Sequence, residues 1–230
     1  MSGHSDEFMA RRAAARSKVN KLDDIDQGKS RSSFFDAVYK RADGDGAAVP
    51  WADLAAKPQL VEWLAKNPAK GNMRAADVGC GLGDHTQALS KAGYQATGFD
   101  IARSAVDWAQ KRFPDTRADF RQIDLFNLPE DWPQSFDLVY ECYTIQSVPP
   151  ELHDDISRKI ASLVTPGGTL LTIARVRDED EAASGPPWHL APSEYRIFAE
   201  LGFKLISEQS YKVERPNAAI PHIFAEWRRV

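Results

Sequence analysis

Downstream of residue 73 the apolar positions follow two periods in turn. Short runs near 74–79, 95–100, 117–123, 136–142 and 168–175 are continuous or alternating in apolar residues, the pattern of buried and half-buried strands. Between most of them, 84–92, 102–112 and 150–164 carry the three-and-four spacing of helices. In the last of these Leu152, Ile156, Ile160 and Leu163 form one stripe, as a helix lying on a sheet requires. Strand and helix in alternation predict an α/β fold with a doubly wound, mostly parallel sheet. A proline-rich loop, "RDEDEAASGPPWHLAP" over 177–192, and a short helix near 193–201 follow the fifth strand. The final runs, "FKLISEQSYKV" and "HIFAEWRRV", have no helix between them, so they should pair as an antiparallel hairpin at one edge and complete a seven-stranded sheet.

The first third of the chain is less regular. A helix is expected near 58–66, where Leu60, Val61 and Leu64 share a face, and order is expected to begin around "FFDAVYKR". Residues 1–33 combine basic Arg11, Arg12, Arg16, Lys18 and Lys21 with Asp23, Asp24 and Asp26 around an alanine run. This composition supplies little core, so the segment reads as a flexible or helical extension, and 34–230 as one domain.

With 230 residues, 43 % hydrophobic and 27 % charged, the chain has material for one well-buried domain. Its net charge of -4 argues against a partner held through many phosphates. Two cysteines, Cys80 and Cys142, are too few for a disulfide framework and read as small fillers at strand ends in a reducing compartment. The chain lacks an apolar run long enough to span a membrane and lacks a leader's apolar core, so a cytoplasmic protein with no membrane association is expected.

The informative chemistry sits at "DVGCGLGD", Asp77 to Asp84, where a strand gives way to a glycine turn and a helix. A dinucleotide turn needs its third glycine at the sixth position for close helix packing, and here that position is Asp84. A carboxylate there would face a pyrophosphate, and no Gly-Lys-Ser or Gly-Lys-Thr follows for a triphosphate. S-adenosylmethionine (SAM) has no phosphate and makes other demands. Gly79, Gly81 and Gly83 let the backbone approach its methionyl and ribose portions, and Asp77 can attract its ammonium. Asp100 ends the next strand, where two carboxylate oxygens can accept both ribose hydroxyls. Asp124 ends the third, placed to accept from the adenine amino group beside the Leu125 N–H. Each residue alone is equally a turn or a cap; three acids at successive strand ends after such a turn fit one ligand.

These residues resemble the class I SAM-dependent methyltransferases. "AADVGCGLG" is similar to that family's first motif, "GFD" to its ribose-binding acid, "QIDLF" to its adenine-side acid, and "FDLVYECYTIQSVPPE" with "VTPGGTLL" to its fourth strand and the passage beyond. The likeness covers about 58–176. It implies a Rossmann-like sheet, SAM as methyl donor with S-adenosylhomocysteine as product, no metal, and Ile101 and Glu141 beside the cofactor. "FFDAVYKR", "VPW" and the "GPPW" loop resemble the thiopurine and tellurite-resistance type of small-molecule methyltransferase, which implies that Trp51 lies near the cofactor. The chain departs from that type after Trp51, with "ADLAAKP", and at Glu141-Cys142, where Asp-Arg is usual.

Methyl transfer from a sulfonium is an in-line displacement that relies on positioning and on excluding water. A soft nucleophile needs little help, whereas a hydroxyl or ammonium needs a base within reach. The candidate bases are His189, in the loop 177–192 expected to close over the acceptor, and Glu141; Tyr143, Trp188 and His189 are the candidate acceptor contacts. His85 is expected to cap or face solvent, and His4, His153 and His222 to be structural or solvated. The acidic run 178–181 reads as a solvated loop face, not a metal site. The reading is a small-molecule methyltransferase in which the N-terminal extension is dispensable for cofactor binding. The alternatives are a nucleic-acid or protein methyltransferase, and a SAM-binding module without transfer. "YECY" is not the Asn/Asp-Pro-Pro-aromatic quartet of base-amino enzymes.

Overall fold

In the computed structural model, which describes residues 6–23, 31–215 and 218–230, the apolar pattern resolves into seven strands and seven α-helices. Helices α1 (Asp6–Asp23), α2 (Arg31–Ala42) and α3 (Pro58–Lys66) precede strand β1 (Arg74–Val78). Then come α4 (Asp84–Lys91), β2 (Gln95–Asp100), α5 (Arg103–Arg112), β3 (Asp119–Gln122), β4 (Phe136–Cys142), α6 (His153–Leu163) and β5 (Val164–Arg175). The chain finishes with α7 (Pro192–Tyr195), β6 (Phe203–Arg215) and β7 (Ala218–Arg229). Strand order is β3-β2-β1-β4-β5-β7-β6. This is a Rossmann-like α/β sheet, parallel except at β7 and β6.

The chain divides into two compact units. One comprises Met1–Lys70 and Cys80–Ile123, the other Gly71–Gly79 and Asp124–Val230. In the first, β2 and β3 run parallel with Asp100 opposite Gln122. Helix α5 is held by burying Ala105, Val106 and Ala109, and Cys80 fills a small cluster with Phe120. In the second, β1 pairs with β4 with Val78 opposite Glu141, and β4 with β5 with Cys142 opposite Ile173. The α6 stripe is buried as its spacing demanded: Ile156, Ile160 and Leu163 are covered, each side chain adding roughly 1.5–3 kcal/mol of apolar burial.

The differences from expectation are local. The expected helix over 150–164 begins as a 3-10 turn at Pro150–Leu152, because Pro150 fits a first turn. The helix near 193–201 is α7 followed by a 3-10 turn at Ile197–Ala199. The third strand is shorter than 117–123, since Thr116 and Ala118 form a side-chain-capped turn instead. Residues Asp6–Asp23 of the extension are helical, and Arg12 within them is buried, a contribution to packing that the composition concealed. His4, Asp24 and Asp26 lie outside the described residues.

Candidate functional site

The first unit carries the glycine turn's second half and the acid after β2. Gly83 sits at φ 84 as the left-handed cap of α4. A Cβ there would stand 2.8 Å from Phe120 and 3.1 Å from Ala109, so this glycine serves close packing as well as backbone conformation. Asp84 is turned onto Arg112, which donates to both its oxygens at 2.7 and 2.9 Å. Its charge is therefore balanced, and the repulsion expected against a pyrophosphate is weaker than the sequence implied. Asp100 is buried, and burial raises its carboxyl pKa against the opposing pull of backbone N–H donors. Gly81 N–H donates to Oδ2 at 3.0 Å and Ala102 N–H to Oδ1 at 2.9 Å. The Ile101 backbone N–H is a third donor to this carboxylate, so the chain on both sides of it fixes its orientation. Ile101 follows, its carbonyl taken by Gln122 Nε2 at 3.3 Å. Trp51 is half-buried, and its indole N–H donates to Tyr39 Oη at 2.8 Å.

Near this turn His85 departs from expectation. It is half-buried and not a cap: burial, then the nearby Lys57, lowers its pKa to about 3. An imidazolium in that position would be desolvated beside an ammonium.

The second unit holds Asp77, buried on β1 opposite Tyr140 in the β4 register. At Gly79, φ is 65, and a Cβ would meet Thr144 Oγ1 at 2.6 Å. Thr144 Oγ1 donates to the Val78 carbonyl at 2.8 Å, so the turn after β4 braces the exit of β1. Thr144 N–H donates to Glu141 Oε1 at 2.7 Å and Ile145 N–H to the same oxygen at 3.3 Å. Glu141 Oε2 is buried with no partner among the described residues, and burial raises this carboxyl's pKa to about 7. Asp124 caps the next turn, accepting from Phe126 N–H at 3.0 Å and Asn127 Nδ2 at 2.9 Å, while Leu125 is buried beneath it.

Beyond β4, Tyr143 takes a left-handed φ of 66. The Arg175 guanidinium lies 5.6 Å from its ring and the His222 ring lies edge-on at 5.7 Å. The 177–192 loop is tied to the same region. Trp188 N–H donates to the Gln146 carbonyl at 2.9 Å and Leu190 N–H to the Arg175 carbonyl at 2.9 Å. His189 is half-buried, its pKa lowered by burial and then by Arg175. Tyr143, Trp188 and His189 thus gather with Gln146 and Arg175 within one unit. The acidic run 178–181 is exposed, and Glu179 within it accepts from Ser193 N–H at 3.0 Å. His153 and His222 are buried: His153 lies 2.6 Å from Glu194, and His222 stacks on Tyr211 at 5.2 Å. Among the described residues no group of three or more His, Cys, Asp or Glu is arranged to hold a metal.

A family model described as a methyltransferase domain matches residues 75–168, the span from β1 into β5 that carries the strand-end acids. The chain carries a SAM-dependent methyltransferase domain over that span. "Probable thiol methyltransferase 2" of Arabidopsis thaliana is 29 % identical to it over 191 residues, 77 % of this chain and 81 % of the relative. A ubiquinone biosynthesis O-methyltransferase of Xanthomonas campestris pv. campestris (strain B100) is 34 % identical over 130 residues, 56 % of this chain and 53 % of that protein. The methyltransferase thus spans about half the length of that second relative. TehB from Haemophilus influenzae shares the fold, with a TM-score of 0.64 at 16 % identity over 79 % of this chain and 65 % of that one.

Sequence reasoning did not single out Thr144, Gln146, Arg175 or Tyr39 as site residues. Tyr39 had a signal in the aromatic segment "FFDAVYKR"; the others act through partners distant in sequence.

Proposed function

We propose that this methyltransferase transfers the SAM methyl group to a small-molecule acceptor, a thiol or comparable nucleophile, by in-line displacement. The observation that carries the reading is Asp100, a buried carboxylate at the end of β2 held in one orientation by the backbone N–H groups of Gly81, Ile101 and Ala102. Bound SAM supplies a methyl carbon on a positively charged sulfur. Asp100 would hold the ribose hydroxyls, Gly79, Gly81 and Gly83 would allow backbone approach, and Asp77 would attract the ammonium. Asp124 and Leu125 would receive the adenine edge; Ile101 and Trp51 would pack beside it. The acceptor's lone pair forms the new bond to carbon as the carbon–sulfur bond breaks, and S-adenosylhomocysteine leaves. The acceptor's proton passes to Glu141 Oε2, which has an open acceptor position and a pKa near neutrality, or to the neutral His189 imidazole. A thiolate acceptor needs neither. The likeness to a probable thiol methyltransferase favours that class.

Calorimetry with S-adenosylhomocysteine tests the site. Asp100→Ala removes two charge-assisted hydrogen bonds worth about 1.5–3 kcal/mol each, so affinity should fall at least about tenfold. Unchanged affinity, or tighter binding of NAD than of SAM, overturns the reading. A panel of thiols, amines and phenols assayed for methylation then identifies the acceptor class.

A further inference from the structure

Helix α1 buries a charge that its composition gives no reason to bury. Arg12 is 4 % exposed, while its neighbours from 6 to 15 are exposed or half-exposed. Its guanidinium is spent on one short segment of the same unit. Nε donates to the Pro50 carbonyl at 3.1 Å, and Nη1 pairs with Asp53 at 2.5 Å. Burial would raise the Asp53 carboxyl, but Lys57 and Arg12 beside it hold it well below the ordinary carboxylate range. One residue earlier, Arg11 pairs with Asp45 at the surface, where an ion pair contributes little.

Between Pro50 and Asp53 lies Trp51. Its ring meets Phe35 edge-on at 5.6 Å and Tyr39 at 5.8 Å, and its N–H fixes Tyr39 Oη. Tyr39 Oη in turn lies at the glycine turn, 3.0 Å from where a Cβ on Gly81 would stand, and within the field of Asp100, which adds to the rise that burial causes in its pKa. Because that oxygen accepts from Trp51, its own proton is directed away from the indole. The contacts that run from Arg12 to Pro50 and from Trp51 to Tyr39 therefore end with the Tyr39 hydroxyl beside Gly81.

We infer that Arg12 is a positioning residue for cofactor binding: it anchors α1 on Pro50 and Asp53 and so fixes Trp51 and the Tyr39 hydroxyl at the glycine turn. This rests on the SAM reading above, and it reverses the expectation that the N-terminal extension is dispensable. The physical reason is preorganisation. A segment that the cofactor must order at the moment of binding lowers affinity, whereas one already anchored does not. Linkage makes the effect reciprocal: if docked α1 favours the cofactor, the cofactor must favour docked α1 by the same factor.

The experiment is calorimetry of S-adenosylhomocysteine on the full chain and its Arg12→Ala, Arg12→Lys and Arg11→Ala variants, with hydrogen exchange of the unaltered protein with and without the ligand. Arg12→Ala should weaken binding at least tenfold. Arg12→Lys should fall between, keeping the charge opposite Asp53 and losing the Pro50 bond, and Arg11→Ala should stay within twofold. Bound ligand should slow exchange in residues 6–15 as well as in 45–53. That second arm needs no variant, so the proposal stays testable if Arg12→Ala does not fold. Wild-type binding with Arg12→Ala unchanged, or ligand that leaves 6–15 unaffected, overturns the anchor alone; failure of the wild type to bind overturns the SAM reading beneath it.

Discussion

Glu141 shows how one residue can be costly to the fold and useful to the chemistry. Its Oε1 serves two backbone donors while Oε2 is enclosed and unmet among the described residues. Burial raises the pKa to about 7 from an ordinary 4.5. The folded state therefore holds this proton more tightly than the unfolded one. Its stabilising contribution is present below the unfolded pKa and is lost as pH rises toward the folded pKa, a swing of about 3 kcal/mol. Glu141→Gln keeps an oxygen for the two N–H groups and cannot ionise. Urea unfolding should find the variant more stable than wild type at pH above about 7, by up to ~3 kcal/mol, with the gap closing toward pH ~4.5. Methylation of hydroxyl or amine acceptors should fall at the same time, and thiol methylation should fall less. A stability difference that does not vary with pH would show the carboxyl titrating in its usual range. His85 moves the other way. Its depressed pKa means stability is lost as pH falls below about 6.5 toward 3, when a half-buried imidazole beside Lys57 must charge.

At the scale of elements, two short linkages decide whether the strand ends hold their geometry. One joins β4 to β1, with Glu141 holding Thr144 and Thr144 holding Val78. Gly79→Ala would force a left-handed backbone and press a methyl onto Thr144 Oγ1, 2.6 Å from the new Cβ. A loss of about 2 kcal/mol or more is expected by chemical denaturation, and Thr144→Ala in the same background should recover part of it by removing the oxygen that the new methyl meets. The other linkage is Glu194. Its Oε2 accepts from Arg177 at 2.8 Å and from Ala191 N–H at 2.7 Å, so it joins both ends of the 177–192 loop, and its Oε1 lies 2.6 Å from His153 on α6. Glu194→Ala leaves Arg177 without its carboxylate and should cost about 2–3 kcal/mol. Hydrogen exchange should accelerate across 177–192 while S-adenosylhomocysteine affinity changes little. The glycines and strand-end acids were legible because a turn and a cap are written in adjacent residues. Glu194, Thr144 and Arg12 were not, since each meets a partner more than 15 positions away whose approach no local pattern encodes.

For the molecule as a whole, charge argues about partners. The net charge is -4, and two of the N-terminal basic groups, Arg11 and Arg12, are engaged by Asp45 and Asp53. A polyanion would have to break those pairs to gain its own. Labelled RNA should therefore show no binding at about 0.15 M salt and only weak, steeply salt-dependent binding below it. Tight RNA binding at that salt, with RNA methylation, would replace the small-molecule acceptor. No helix among the described residues is long and apolar enough to cross a membrane.

The sequence by itself determined the order of strands and helices, the reversed final pair, the glycine turn and the acids after β2 and β3. Periodicity, turn chemistry and capping act between residues close in the chain, and those interactions are readable there. The tertiary structure alone decided that Arg12 is buried rather than solvated, that Asp84 is neutralised by Arg112, that His85 is half-buried near Lys57, and that Glu141 has an oxygen without a partner among the described residues. A side chain's burial and the charge beside it belong to whatever packs against it. Those neighbours come from distant segments, and only folding brings them within the few ångströms over which desolvation and hydrogen bonding act.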